Sequence, residues 1–205
     1  MLTQKTVIDF LNEVASKSPA PGGGSTAALA GSLAASLVSM VCHLTIGKQG
    51  YQDIDRQIKK TLQESEQIRK QLTGLVDEDT KAFDSVIAAF KMPKNTETEQ
   101  KKRRQAIQEG YKRAATVPLA TARYCDQLWE HILFIAQRGN KNSISDAGVA
   151  SLLAYAGVLG AILNVKINLA SIKDRAYREQ MTKEIQEFEK RATAYQKKMR
   201  DCIQL

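Results

Sequence analysis

Ser18-Pro19-Ala20-Pro21-Gly22-Gly23-Gly24-Ser25 ends one helical pattern and opens a long uncharged one. Two prolines set an extended approach, three glycines admit backbone angles closed to other residues, and Ser25 is placed to N-cap the helix that follows. A helix start of this kind presents unpaired N–H groups and the positive end of the helix dipole, so it can hold an anionic or acceptor-rich group. The loop also reads as a permissive connector whose glycines let two helices approach. On the loop alone that plainer reading is preferred, because the run lacks a full phosphate-binding fingerprint.

From Ser25 to Ile46 no residue is charged at pH 7. The run is long enough to span a bilayer. Small Ala and Gly31, the hydroxyls of Ser32, Ser36, Ser39 and Thr45, and the lack of Trp/Tyr belts favour the central helix of a water-facing bundle instead. His43, inside this run, is expected as a hydrogen-bonded core residue. A second uncharged run, Ala147 to Val165, follows the polar loop Gly139-Asn140-Lys141-Asn142-Ser143-Ile144-Ser145-Asp146, in which Ser145 or Asp146 is the expected cap. Asn164 and Asn168 sit one turn apart and continue a face begun by Gly157 and Gly160. Two amides there suit a ligand ring or a tie between helices.

Amphipathic helices surround the two runs. Residues 3 to 16 place Val7, Phe10, Leu11 and Val14 on one stripe. A helix from about Asp53 to Phe90 has an apolar stripe that includes Asp79, four residues after Leu75 and four before Phe83, so its carboxylate points toward the core or a cleft in it. Such a carboxylate needs a partner and has a perturbed pKa; its alternatives are a reactive acid and a structural tether. Met92-Pro93-Lys94-Asn95 breaks this helix, and Thr96-Glu97-Thr98-Glu99 is a capping box for the next. Lys101, Lys102, Arg103 and Arg104 form a solvated face, Pro118 is expected in the first turn of a further helix, and a charged amphipathic helix runs from Lys173.

The expected fold is therefore all-α, a single-domain helical bundle over residues 1–205 with two central uncharged helices. Four prolines in 205 residues agree with it. The net charge is +8, but its lysines and arginines lie among acids on polar faces, without an aromatic-laced basic block, so nucleic acid is not an expected partner. Cys42, Cys125 and Cys202 are far apart, lack metal-ligand spacing and read as reduced. No signal-peptide pattern precedes Asp9 and Glu13, and the cytoplasm is the expected compartment, with no membrane contact.

Ser18-Pro19 with Pro21-Gly22-Gly23-Gly24-Ser25, Asp79-x-x-x-Phe83 before Pro93-Lys94, Gly139-Asn140 with Ser145-Asp146, and Asn164-Val165 with Ile167-Asn168-Leu169 together resemble the cyclodeaminase/cyclohydrolase family of tetrahydrofolate enzymes. The marks keep family order over nearly the whole chain. The resemblance implies an all-helical homodimer of the stand-alone type, with a separate formiminotransferase as a further partner. It implies a formimidoyltetrahydrofolate cyclodeaminase that makes 5,10-methenyl-tetrahydrofolate and ammonia, or alternatively a methenyltetrahydrofolate cyclohydrolase on the same fold. Tetrahydrofolate, polyglutamylated in its natural form, would enter as the one-carbon-carrying substrate, and no metal is expected. The implied substrate-binding residues are Pro21, Gly22, Gly23, Gly24, Ser25, Lys94, Asn140, Ser145, Asn164 and Asn168. Asp79, on its apolar stripe, is assigned proton transfer; Asp146, at a helix start, is assigned the clamp on the pterin N–H groups. The non-enzymatic alternative is a helical interaction module in which these glycines and asparagines only pack helices.

Overall fold

The structure, a computed structural model, describes residues 1–203. Six helices carry the chain: α1 (Val7–Val14), α2 (Gly23–His43), α3 (Asp55–Phe90), α4 (Glu97–Arg138), α5 (Ile144–Leu169) and α6 (Arg175–Cys202). Short 3-10 turns occupy Leu2–Gln4, Gln52–Ile54 and Lys141–Ser143, and no strand occurs among the described residues.

The two uncharged helices lie side by side at the centre and run antiparallel. Gly23 of α2 lies against Asn164 of α5, Gly31 against Gly157, and Thr45 against Asn140. Small residues set this spacing. A Cβ at Gly157 would stand 2.7 Å from Cys125 Sγ and 3.2 Å from the Ala27 carbonyl, and a Cβ at Gly31 would run into the same sulfur. Cys125 of α4 is thus wedged where α2, α4 and α5 meet, and burial pushes its thiol up to about 12. Adding a methyl here forces the helices apart, at a cost of about 1–3 kcal/mol.

Helices α3 and α4 form a long hairpin across this pair. Gly110 of α4 packs on Val86 of α3, and the capping box at the start of α4 is present, with Thr96 Oγ1 accepting from Glu99 N at 3.2 Å and Glu99 returning to Thr96 N at 3.1 Å. Helix α6 closes the far side. Tyr195 stacks on Trp129 with ring centroids 5.5 Å apart, and Gln196 donates to the Ser151 carbonyl at 2.8 Å. Gly47 and Gly50, both at positive φ, end the α2 segment as the sequence indicates.

Several expectations are corrected. Helix α2 is N-capped by Gly22 rather than Ser25, because the Ser25 hydroxyl is engaged instead with the Val76 carbonyl at 2.9 Å and with Asp79. Pro118 starts no new helix; it lies inside a continuous α4. Ser143, not Ser145 or Asp146, is the N-cap of α5. His43 is exposed on the last turn of α2, and on α1 only Phe10 is buried while Val7, Ile8 and Leu11 face outward.

Candidate active site

A cleft of about 460 Å³ opens where the start of α2, the middle of α3 and the end of α5 converge. Its walls include Gly22, Gly23 and Gly24 from the loop, Asp79 and Phe83 from α3, Tyr111 and Ala114 from α4, and Asn164, Ile167 and Asn168 from α5. Pro19, Ala20, Ala170 and Ser171 complete it.

Asp79 is the acid of this cleft. Ser25 Oγ lies 3.1 Å from Asp79 Oδ2, and the Ser25 main-chain N–H also faces the carboxylate. Gly24 makes room for it: a Cβ at position 24 would occupy the space of the Asp79 carboxylate itself. Burial pushes the Asp79 pKa up, the two Ser25 donors pull it back, and burial prevails. A carboxyl whose anion is disfavoured in this way is suited to accepting a proton and returning it.

The two asparagines are fixed through their donors. Asn164 Nδ2 donates to the Gly160 carbonyl at 2.8 Å, and Asn168 Nδ2 donates to the Asn164 carbonyl at 2.8 Å and to the Ala114 carbonyl at 2.9 Å. Main-chain carbonyls therefore hold the NH₂ groups and leave the Oδ1 atoms as acceptors for a ligand. Asn168 ties α5 to α4, the Asn164 amide stays within α5, and both residues line the cleft.

The structure brings together Gly22, Gly23, Gly24, Asp79, Asn164 and Asn168, with Ser25 beneath the acid and Pro21 buried under the loop. It places the others elsewhere. Lys94 is exposed in the α3–α4 connection. Asn140 lies at the opposite end of the α2–α5 pair, where its main-chain N–H donates to Thr45 Oγ1 at 3.0 Å, its Nδ2 to the Leu44 carbonyl at 3.0 Å, and its Oδ1 accepts from Lys48 Nζ at 2.9 Å. Ser145 and Asp146 occupy the first turn of α5, and at about 1.5 Å of rise per residue they stand roughly 27 Å from Asn164 along the helix. Within one chain, Asp79 and Asp146 do not share a cleft. Phe83, Tyr111 and Ile167 are wall residues outside the implied binding set; Phe83 and Ile167 stand in the motifs quoted from the sequence, one turn after Asp79 and between the two asparagines, and Tyr111 carries no such signal.

A second groove of about 500 Å³ adjoins this cleft and shares Ala170 with it. Arg175, Arg178 and Lys183 from α6 border it. Among the described residues no group of three or more His, Cys, Asp or Glu side chains is arranged to hold a metal ion.

Residues 6–187 match the family described as formiminotransferase-cyclodeaminase. The chain belongs to that family. A methenyltetrahydrofolate cyclohydrolase from Methylorubrum extorquens is 46% identical over 91% of this chain and 89% of its own length. The formimidoyltransferase-cyclodeaminase of Rattus norvegicus is 41% identical over 83% of this chain, which spans only 31% of that longer protein. The crystal structure of formiminotetrahydrofolate cyclodeaminase from Thermotoga maritima superposes with a TM-score of 0.88 at 30% identity, covering 98% of this chain and 97% of that one. This helical chain is an enzyme of a folate-related cyclodeaminase/cyclohydrolase family, as the resemblance implies.

Proposed function

We propose that the Asp79 cleft binds a one-carbon derivative of tetrahydrofolate, and that its main reaction is hydrolytic opening of 5,10-methenyl-tetrahydrofolate to the 10-formyl form. The observation that carries the folate reading is a half-buried carboxylate with a raised pKa in a cleft lined by glycines and two acceptor-facing amides, in a chain of this family. Hydrolysis is placed first because the relative matched along 89% of its own length at 46% identity is named a cyclohydrolase. The order differs from the sequence expectation, which put the cyclodeaminase first.

In the hydrolytic direction, the bridging carbon between N5 and N10 is the electrophile. Asp79 takes a proton from the attacking water as the C–O bond forms, giving a tetrahedral adduct. As the C–N5 bond breaks, Asp79 returns that proton to N5, and the adduct hydroxyl loses its own proton to solvent as the formyl C=O forms. The Ser25 hydroxyl and main-chain N–H steady the carboxylate while its charge changes. The Asn164 and Asn168 oxygens accept from N–H groups of the pterin, and Phe83 and Tyr111 supply an apolar wall.

The cyclodeaminase reaction uses the same geometry, and the Thermotoga match favours it as a second reading. There N10 attacks the formimino carbon and gives its proton to Asp79. The imino nitrogen becomes an amine with a proton from solvent, and Asp79 protonates that amine so that ammonia leaves. In both readings the glutamate tail of the folate follows the adjoining groove toward Arg175, Arg178 and Lys183. Supplying purified protein with 5,10-methenyl-tetrahydrofolate and, separately, 5-formimino-tetrahydrofolate tests the proposal. Accelerated loss of methenyl absorbance is the expected result, formation from the formimino compound alone reverses the order, and inactivity on both refutes the folate assignment.

A further inference from the structure

A third groove, of about 600 Å³, opens where α3, α4 and α6 meet, and it shares no lining residue with the Asp79 cleft or with the groove beside that cleft. Glu64 and Gln67 come from α3, Asp126, Gln127 and Glu130 from α4, and Arg191 from α6. Three carboxylates thus stand against one guanidinium, in a chain whose net charge is +8. His131, also in the lining, does little to offset them, because burial holds its imidazole below the usual range and keeps it neutral at pH 7.

Asp126 is the member of this group that the fold leaves unfinished. It is 5% exposed, yet its Oδ1 has no hydrogen-bond partner among the described residues. Its Oδ2 has an ion pair with Arg191 at 3.1 Å, and the Arg191 side chain is itself 53% exposed. Burial pushes the Asp126 carboxyl up, and the Arg191 charge offsets only part of that. Buried carboxylates have their oxygens filled by donors as a rule, so a half-bare one in the wall of a groove calls for a cation that the chain does not supply.

The other two acids narrow the kind of cation. Glu130 lies one turn beyond Asp126 on the same wall, a spacing at which like charges repel. The Tyr195 hydroxyl donates to Glu130 Oε1, which leaves the second oxygen for another donor. Glu64 lies across the groove on α3, half-exposed, with Lys60 at 3.7 Å. Among the described residues no three such groups are arranged around a single metal ion. Negative charge spread over two walls, with Ile68 in the same lining, suits several ammonium groups joined by methylene segments instead. We propose that this groove binds an aliphatic polyamine, one ammonium on Asp126 and the others on Glu130 and Glu64, and that Arg191 holds the Asp126 position when the amine is absent. On binding, the Arg191 head group turns out to solvent and the ammonium donates to both Asp126 oxygens. The site is separate from the folate reading and does not rest on it.

Calorimetric titration of the full chain with spermidine at low ionic strength tests this, with no folate present. Saturable one-to-one binding is expected, in spite of the chain's positive net charge. Asp126→Asn is expected to weaken it by about ten-fold or more, the scale of a lost charged hydrogen-bond partner. Arg191→Gln removes the internal rival and is expected to tighten it. Glu64→Gln, on the exposed rim, is expected to weaken it by about two- to five-fold and decides the matter together with Arg191→Gln if the Asp126 variant fails to fold. Glu187→Gln, on an exposed pair with Lys190 outside the groove, is expected to change nothing. No saturable binding, unchanged affinity in Asp126→Asn or Glu64→Gln, weaker binding in Arg191→Gln, or a loss in Glu187→Gln equal to that in Glu64→Gln overturns the site. A lysine-rich peptide that binds where spermidine does not would likewise overturn it, in favour of a protein partner.

Discussion

Asn168 donates its side-chain amide to the main-chain carbonyl of Ala114 at 2.9 Å, and Ala114 is the residue whose carbonyl Pro118, four positions on, leaves without its helical N–H partner. The proline gap inside α4 is thus closed by a residue of α5 that also lines the cleft. Asn168→Ala is expected to lower stability by about 1–3 kcal/mol, the scale of an unsatisfied buried carbonyl. Pro118→Ala restores the N–H and is expected to recover most of that loss in thermal melting, while the weakened folate affinity of Asn168→Ala persists in the double variant. Independent, additive losses would separate the two residues.

Asp79→Asn is expected to reduce turnover by ~100-fold or more with little change in substrate affinity, the scale of a lost general acid or base. Steady-state kinetics on both folates measures it. Unchanged turnover would remove Asp79 from the chemistry.

The raised pKa of Asp79 also fixes a sign for stability. A folded-state pKa above the unfolded one makes a contribution that is present below the ordinary carboxylate range and lost as pH rises through the raised value. Asn never ionises, so Asp79→Asn is expected to melt at higher temperature than wild type at neutral pH, with the gap closing in acid. In the hydrolytic direction activity should rise with pH through that same raised value, because the base form is required. A gap that widens in acid would contradict the burial of the charge.

Gly23 and Gly24 are expected to differ. Gly24→Ala drives a methyl into the Asp79 carboxylate and should abolish turnover, whereas a Cβ at Gly23 meets the Asn164 side chain, with Nδ2 nearest at 3.1 Å. Gly23→Ala is therefore expected to weaken folate binding and leave the circular dichroism of the helices intact. Equal effects of the two changes on activity would argue that the loop only packs.

Arg178→Glu is expected to raise KM for a polyglutamylated substrate by about two- to five-fold, the range of an exposed charge pair, and to leave the monoglutamate form unaffected. An equal change for both forms would place the tail elsewhere.

Much of this was legible in the sequence, for identifiable reasons. The charge-free runs of α2 and α5 and the Thr96/Glu99 capping box are local signals, and structure and sequence agree on them. Asp79 was legible because its position on an apolar stripe fixes its direction. Pro118 was not, since the donor that makes it tolerable lies fifty residues downstream on another helix. Ser25 misled for a related reason: its hydroxyl has better partners on α3 than its own helix start. The order of motifs along the chain likewise conveys nothing of distance, so Asp146 and Asn140 read as neighbours of Asn164 although one lies in the first turn of α5 and the other just before that helix, at its far end.

The carboxylate of Asp79 fills the space that a side chain at position 24 would claim. Two positions fifty-five residues apart are thereby bound into one steric unit. Any relative that retains an acid at the first is constrained to glycine at the second, and one that has lost the acid is free to acquire a side chain there. The pair should change together through descent, so a substituted glycine at this place marks a chain that has given up the reaction.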